Sequence, residues 1–92
     1  MQNSVQYEIR IHGRVQGVGF RAAARSRARS LQLKGYVENL PDGSVRALVS
    51  GKNRDCSEFI RWCREGSGYS WVEKVDLKEV KADLTRAFFI RY

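Results

Sequence analysis

Gly13, Gly17 and Gly19 fall within seven residues, and Arg21 follows, in the run Gly13-Arg14-Val15-Gln16-Gly17-Val18-Gly19-Phe20-Arg21. Glycine lets a backbone turn successive N–H groups toward one point. The helical spacing that begins at Phe20 adds the unpaired N–H donors and the partial positive charge of a helix start. These parts make a small cradle for an oxyanion, and the planar guanidinium of Arg21 can close it with a fork of donors. The chemistry predicted is the handling of phosphate. A cation at a helix start opposes the helix dipole, so a purely structural role suits Arg21 poorly.

Such a cradle needs a strand before it and a helix after it. Val5, Tyr7, Ile9 and Ile11 alternate with Gln6, Glu8, Arg10 and His12, which is the pattern of a half-buried strand. From Phe20 to Leu31 the spacing is helical, with Phe20, Ala24, Ala28 and Leu31 on one face. Gly35–Asn39 reads as a second strand, Leu40-Pro41-Asp42-Gly43 as a turn, and Val45, Ala47 and Val49 as a third strand that Gly51 ends. A second helix is expected from Asn53 or Asp55 to Glu65, with Asp55 and Glu58 spaced for a capping box. Cys56, Phe59, Ile60 and Cys63 form its inner stripe, and Gly66-Ser67-Gly68 ends it. Val75, Leu77 and Glu79 alternate with Asp76, Lys78 and Val80 in a fourth strand, and Ala87–Tyr92 is a short terminal one. The order β-α-β-β-α-β predicts an α+β fold, a ferredoxin-like sandwich whose antiparallel sheet carries two helices on one face. No linker or repeat interrupts it, so residues 1–92 read as a single domain.

The formal net charge of +7 favours anionic partners. Apolar runs are too short to span a bilayer, so no membrane partner is expected. Met1-Gln2-Asn3-Ser4 does not begin a secretory signal, which makes the cytoplasm the expected location. Seven residues along one helix set Cys56 and Cys63 roughly 10 Å apart at ~1.5 Å per residue, beyond the reach of a disulfide. Both read as small buried hydrophobes. His12 is the only histidine, so no metal site and no cofactor are expected. His12 itself reads as a solvent-facing strand residue, Arg14 as a rim residue, and Tyr36, Trp62 and Trp71 as packing residues.

The run Gly13–Arg21, followed by Gly35-Tyr36-Val37-Glu38-Asn39-Leu40-Pro41-Asp42-Gly43, resembles the acylphosphatase family. Terminal Phe89-Ile90-Arg91-Tyr92 resembles that family's closing strand, and the likeness covers the whole chain. The resemblance implies hydrolysis of the carboxyl-phosphate bond of small acyl phosphates, without metal or cofactor. It implies that backbone N–H groups of Val15, Gln16, Gly17, Val18, Gly19 and Phe20 hold the phosphate. It makes Arg21 the phosphate-binding arginine and Asn39 the residue that positions water. The chain departs from the family in carrying Tyr36 where tryptophan is usual. It also has Leu31-Gln32-Leu33 where Leu-Gly-Leu is usual, and lacks the Gly-Pro after the second helix.

The shortage of catalytic groups fits that substrate. An acyl phosphate leaves as a carboxylate, whose conjugate acid has a pKa near ~4, so no general acid is needed. Phosphate monoesters need a metal, a general acid or a covalent nucleophile. The Cys-x5-Arg spacing of a cysteine phosphatase is missing, since Trp62 stands six residues after Cys56 and Tyr69 six after Cys63. A rival from another class is RNA binding on a ferredoxin-like sheet, which stacks bases on sheet aromatics. The third strand, Val45-Arg46-Ala47-Leu48-Val49, lacks the aromatics that this requires, so no nucleic-acid partner is expected. A phosphate-sensing module is a further rival. Monomer is the default state at this size.

Overall fold

The computed structural model describes residues 4–81 and 86–92; Met1, Gln2 and Asn3, on which the reading of the N-terminus rests, lie outside them. The elements are β1 (Ser4–Arg14), α1 (Phe20–Ser30), β2 (Lys34–Asn39), β3 (Val45–Lys52), α2 (Asn53–Glu65), β4 (Trp71–Glu79) and β5 (Phe89–Ile90). They form one sheet in the order β4-β1-β3-β2-β5.

Period-2 alternation decides which side of the sheet is covered. Ile9 and Ile11 on β1, Val37 on β2, and Val45, Ala47 and Val49 on β3 are all buried. They share a core with Phe20, Ala24 and Ala28 of α1 and with Cys56, Phe59, Ile60 and Cys63 of α2. Both helices therefore lie on one face, as their apolar stripes require. Each fully buried phenylalanine contributes roughly 1.5–3 kcal/mol of transfer free energy to this core. Intervening strand residues form the open face, where Arg46 donates to Glu38 at 2.6 Å and His12 meets Asp76 at 3.0 Å.

Four strands pair antiparallel, as expected. The fifth departs from that rule: β5 runs parallel to β2, with Tyr36 opposite Phe89 and Val37 opposite Ile90. Burial of Phe88 fixes where this segment enters. Its ring lies 5.7 Å from that of Phe59, and its carbonyl accepts a bond from Arg29 Nε at 2.8 Å. Residue alternation carries no information on strand direction, so the parallel pairing is not readable from the pattern.

Three local expectations are corrected. β3 continues through Gly51 to Lys52, paired with Val5 and Ser4 of β1, and glycine at position 51 makes room for Leu33, whose Cδ2 would sit 2.6 Å from an added Cβ. The Asp55–Glu58 capping box does not form: the N-cap is Lys52, without a side-chain cap bond. Glu58 instead accepts two bonds from Arg61, at 2.9 and 2.7 Å, and lies 3.6 Å from Arg27. Trp71, read as a packing residue, is 64% exposed on the edge strand β4. Trp62 does pack, with its ring centroid 5.2 Å from Phe20.

Gln32 explains the departure at Leu31-Gln32-Leu33. Its φ of 57° is the only positive φ of a non-glycine among the described residues. Leu33 N–H bonds Ala28 O at 2.9 Å, and Gln32 N–H bonds Arg29 O at 3.0 Å. This is a Schellman helix end, with Gln32 at the left-handed position that glycine normally takes. An L-residue there is strained by roughly 1–2 kcal/mol, part of which a glycine returns through unfolded-state entropy. Gln32→Gly should therefore raise the unfolding free energy by about 0.5–1 kcal/mol. Urea denaturation of the two proteins measures it; a lowered midpoint contradicts the strain.

Candidate active site

β1 does not stop at His12. It shifts register between His12 and Gly13 and reaches Arg14, opposite Trp71 of β4. Gly13 has φ 131°, and an added Cβ there would collide with the Trp71 carbonyl oxygen. The close approach of β1 and β4 is thus what requires this first glycine, and it delivers the chain to the turn at residues 15–19.

Gly17 (φ 75°) and Gly19 (φ 79°) are left-handed, and a Cβ on either would meet nothing within 4 Å. Conformation, not space, selects glycine at both positions. Left-handed residues alternating with others turn neighbouring N–H groups inward as an anion nest. Gly19 is also the N-cap of α1, and Ala23 N–H closes the first helical turn onto Gly19 O at 3.1 Å. Among the described residues, no backbone carbonyl accepts from the N–H groups of Gln16 to Ala22. The buried side chains of Val15 and Phe20 pin the turn to the core, and Val18 packs against it.

A hollow of about 150 Å³ opens over this turn, lined by Gly17, Gly19, Arg21, Ala22, Ile90 and Tyr92 among others. The Arg21 guanidinium stands 5.1 Å from the centre of the Tyr92 ring. Arg21 is half-buried in the first turn of α1, and that turn holds no acidic residue. Among the described residues, no carboxylate pairs with it. Sequence reading did not assign Ile90 and Tyr92 to the hollow. Their place depends on the parallel pairing of β5, for which the sequence offers no signal.

Asn39 is the last residue of β2, opposite Val45. Val37, two residues earlier, is in the core, so Asn39 lies on the same helix-covered face. Its Oδ1 is buried and has no hydrogen-bond partner among the described residues. The following turn is tightly held: Gly43 N–H bonds Leu40 O at 3.1 Å, and Leu40 N–H bonds Ser44 O at 2.9 Å. Asp42 Oδ1 accepts from Ser44 Oγ at 2.5 Å and from Ser44 N–H at 2.9 Å. These two bonds hold the Asp42 carboxyl below its ordinary pKa.

Gln16 joins the two halves. Its Nε2 donates to Leu40 O at 2.8 Å and to Ser44 O at 2.9 Å. The side chain therefore grips the β2–β3 turn, a use that reading Gln16 for its backbone N–H alone missed. Arg14 is exposed, at the rim of a separate hollow with Trp71 and Glu73. Tyr36 lies on the open face beside Phe89, at 5.7 Å, with the Arg91 guanidinium 5.0 Å from its ring centre. Arg86 similarly covers Phe89 at 4.3 Å. Guanidinium groups thus already occupy ring surface that stacked bases would need. Cys56 and Cys63 are free and buried on α2. Burial pushes the Cys56 thiol up to about 11 and that of Cys63 higher still, which keeps both protonated.

The strand order, the two helices on one face and the glycine turn leading into α1 define a ferredoxin-like α+β protein. Residues 7–90 match the acylphosphatase family. An acylphosphatase from Acaryochloris marina is 41% identical over 90 residues, covering 98% of this chain and 97% of its own. The crystal structure of acylphosphatase from Bacillus subtilis superposes with a TM-score of 0.92 at 35% identity, covering 96% of this chain and 99% of that one. Full-length HypF, in its phosphate- and nucleotide-bound form, matches all of this chain with 12% of its own, at TM-score 0.88 and 28% identity. The chain belongs to the acylphosphatase family, hydrolases of acyl phosphates. No helix among the described residues is long and apolar enough to cross a membrane.

Proposed function

We propose that the chain hydrolyses small acyl phosphates by direct in-line attack of water, releasing a carboxylate and inorganic phosphate. The observation that carries this reading is the buried, unpartnered Oδ1 of Asn39, on the sheet face that the helices and cradle share. A buried acceptor without a partner is unfavourable by roughly 1–3 kcal/mol, and turning the carboxamide toward a bound water relieves it. The carboxamide also supplies a donor, so one side chain can orient a water by two contacts.

In this mechanism the N–H groups of residues 15–20 and the Arg21 fork hold the phosphoryl oxygens. They stabilise charge that spreads over those oxygens in the transition state. The carboxylate leaves unassisted, and the substrate phosphate takes the proton of the attacking water. No metal takes part, the protein acts as a monomer, and neither nucleic acid nor membrane is a partner.

The purified protein should hydrolyse benzoyl phosphate undiminished in EDTA, with inorganic phosphate as a competitive inhibitor. Loss of turnover in EDTA, restored by a divalent cation, contradicts the metal-free mechanism. Absence of turnover from a folded sample contradicts the enzyme reading itself.

A further inference from the structure

Gln16 spans the two halves of the site, and its geometry goes beyond holding a loop. The carboxamide nitrogen has two N–H donors, and both are used, at 2.8 Å on Leu40 O and 2.9 Å on Ser44 O. Those carbonyls are not arbitrary points on the turn. Asn39 and Val45 form the last rung of the β2–β3 ladder, and Leu40 and Ser44 are the residues just beyond it on either strand. One side chain of the cradle therefore grips both sides of the frame that carries Asn39.

The turn does not depend on this grip for its own shape. Leu40 O already accepts from Gly43 N–H, and Ser44 O from Leu40 N–H. Asp42 clasps Ser44 through both its Oγ and its N–H. With Gln16 removed, each carbonyl keeps a partner and the hairpin stays closed. What is lost is the fixed distance between the cradle and Asn39.

We propose that Gln16 is a positioning residue, whose side chain sets the register between the phosphate cradle and the water-orienting Asn39. This rests on the reading of Asn39 given above. In-line attack requires the water and the phosphorus at near-contact distance and aligned, and misplacement by about 1 Å lowers rates by up to ~10²-fold. A phosphate held only by the cradle is insensitive to that register. Losing the Gln16 side chain should therefore affect turnover and leave phosphate binding in place, since its backbone N–H remains.

The test is a double-mutant cycle in benzoyl phosphate hydrolysis, using Gln16→Ala, Asn39→Ala and the combined variant, with the inhibition constant of inorganic phosphate measured for each. Gln16→Ala should lower kcat roughly 10- to 100-fold, with the phosphate inhibition constant within about twofold of the parent. In the Asn39→Ala background the same change should lower kcat by less than about twofold, because two residues acting through one function are not additive. Gln16→Met keeps the volume and removes both donors without adding charge, so it should reproduce the loss if the alanine variant folds poorly. Multiplying losses, or phosphate affinity falling in step with kcat, would overturn the proposal and make Gln16 part of the cradle's own framework. Full activity of Asn39→Ala alone would remove the role of Asn39, and with it this inference. Full activity of Gln16→Ala beside an inactive Asn39→Ala would remove only the inference.

Discussion

Replacing Arg21 with alanine should abolish nearly all turnover while leaving the fold intact or slightly more stable. In the proposed mechanism, Arg21 supplies the only side-chain cation of the cradle, and its fork meets charge that grows on the phosphoryl oxygens as the bond breaks. Losing such a group should lower kcat/KM by ~10³ and weaken inhibition by phosphate at least tenfold. Stability should move the other way. Arg21 sits at the positive end of the α1 dipole, in a first turn with no acidic residue, and no carboxylate among the described residues pairs with it. Removing a cation from that position relieves about 0.3–1 kcal/mol, less the contact with the Tyr92 ring at 5.1 Å. Steady-state kinetics and urea unfolding on the same preparations separate the two effects. Arg21→Lys keeps the charge without the planar fork and should recover only part of the phosphate affinity. An Arg21→Ala protein whose lost activity tracks lost stability would instead assign the residue to the fold.

The strand and helix that flank the glycine turn are legible in the sequence. The alternation of Val5 to Ile11 and the stripe of Phe20, Ala24 and Ala28 predict β1 and α1 because burial imposes periods of two and about 3.6 residues. The turn at Pro41-Asp42-Gly43 was readable because Gly43 does take a positive φ, 93°. What stayed hidden depends on groups distant in sequence. Phe88 enters the core beside Phe59 and anchors β5 there, but nothing local to Phe89-Ile90 states that the strand runs parallel to β2. Tyr92 reaches the hollow as a result. The capping box at Asp55 failed because α2 starts at Asn53 with Lys52 as its N-cap, which places Asp55 inside the first turn, a start that spacing alone does not reveal. Gln16 was singled out for its backbone, but its side chain answers two carbonyls 24 and 28 residues away.

Asn39→Ala should show the complementary signature: chemistry lost, binding kept. Its carboxamide is proposed to act on the water, not on the phosphate, so the variant should bind inorganic phosphate within about twofold of the parent while kcat falls by ~10² to 10³. This split distinguishes the two residues, because Arg21→Ala should lose both. The fold should tolerate the change. Asn39 Oδ1 makes no hydrogen bond to any described residue, and the turn beyond it is closed by Leu40, Asp42, Gly43 and Ser44 without its help. The half-buried side chain loses packing but no protein hydrogen bond, so a shift in unfolding free energy of about 1 kcal/mol or less is expected. Asn39→Asp sharpens the reading. It preserves the acceptor and the volume, but removes the amide donor and sets a negative charge near a bound dianion. It should therefore lose turnover and phosphate affinity together. If Asn39→Ala instead raised the phosphate inhibition constant tenfold with kcat unchanged, Asn39 would be a ligand of the phosphate, and the attacking water would be oriented by the cradle alone.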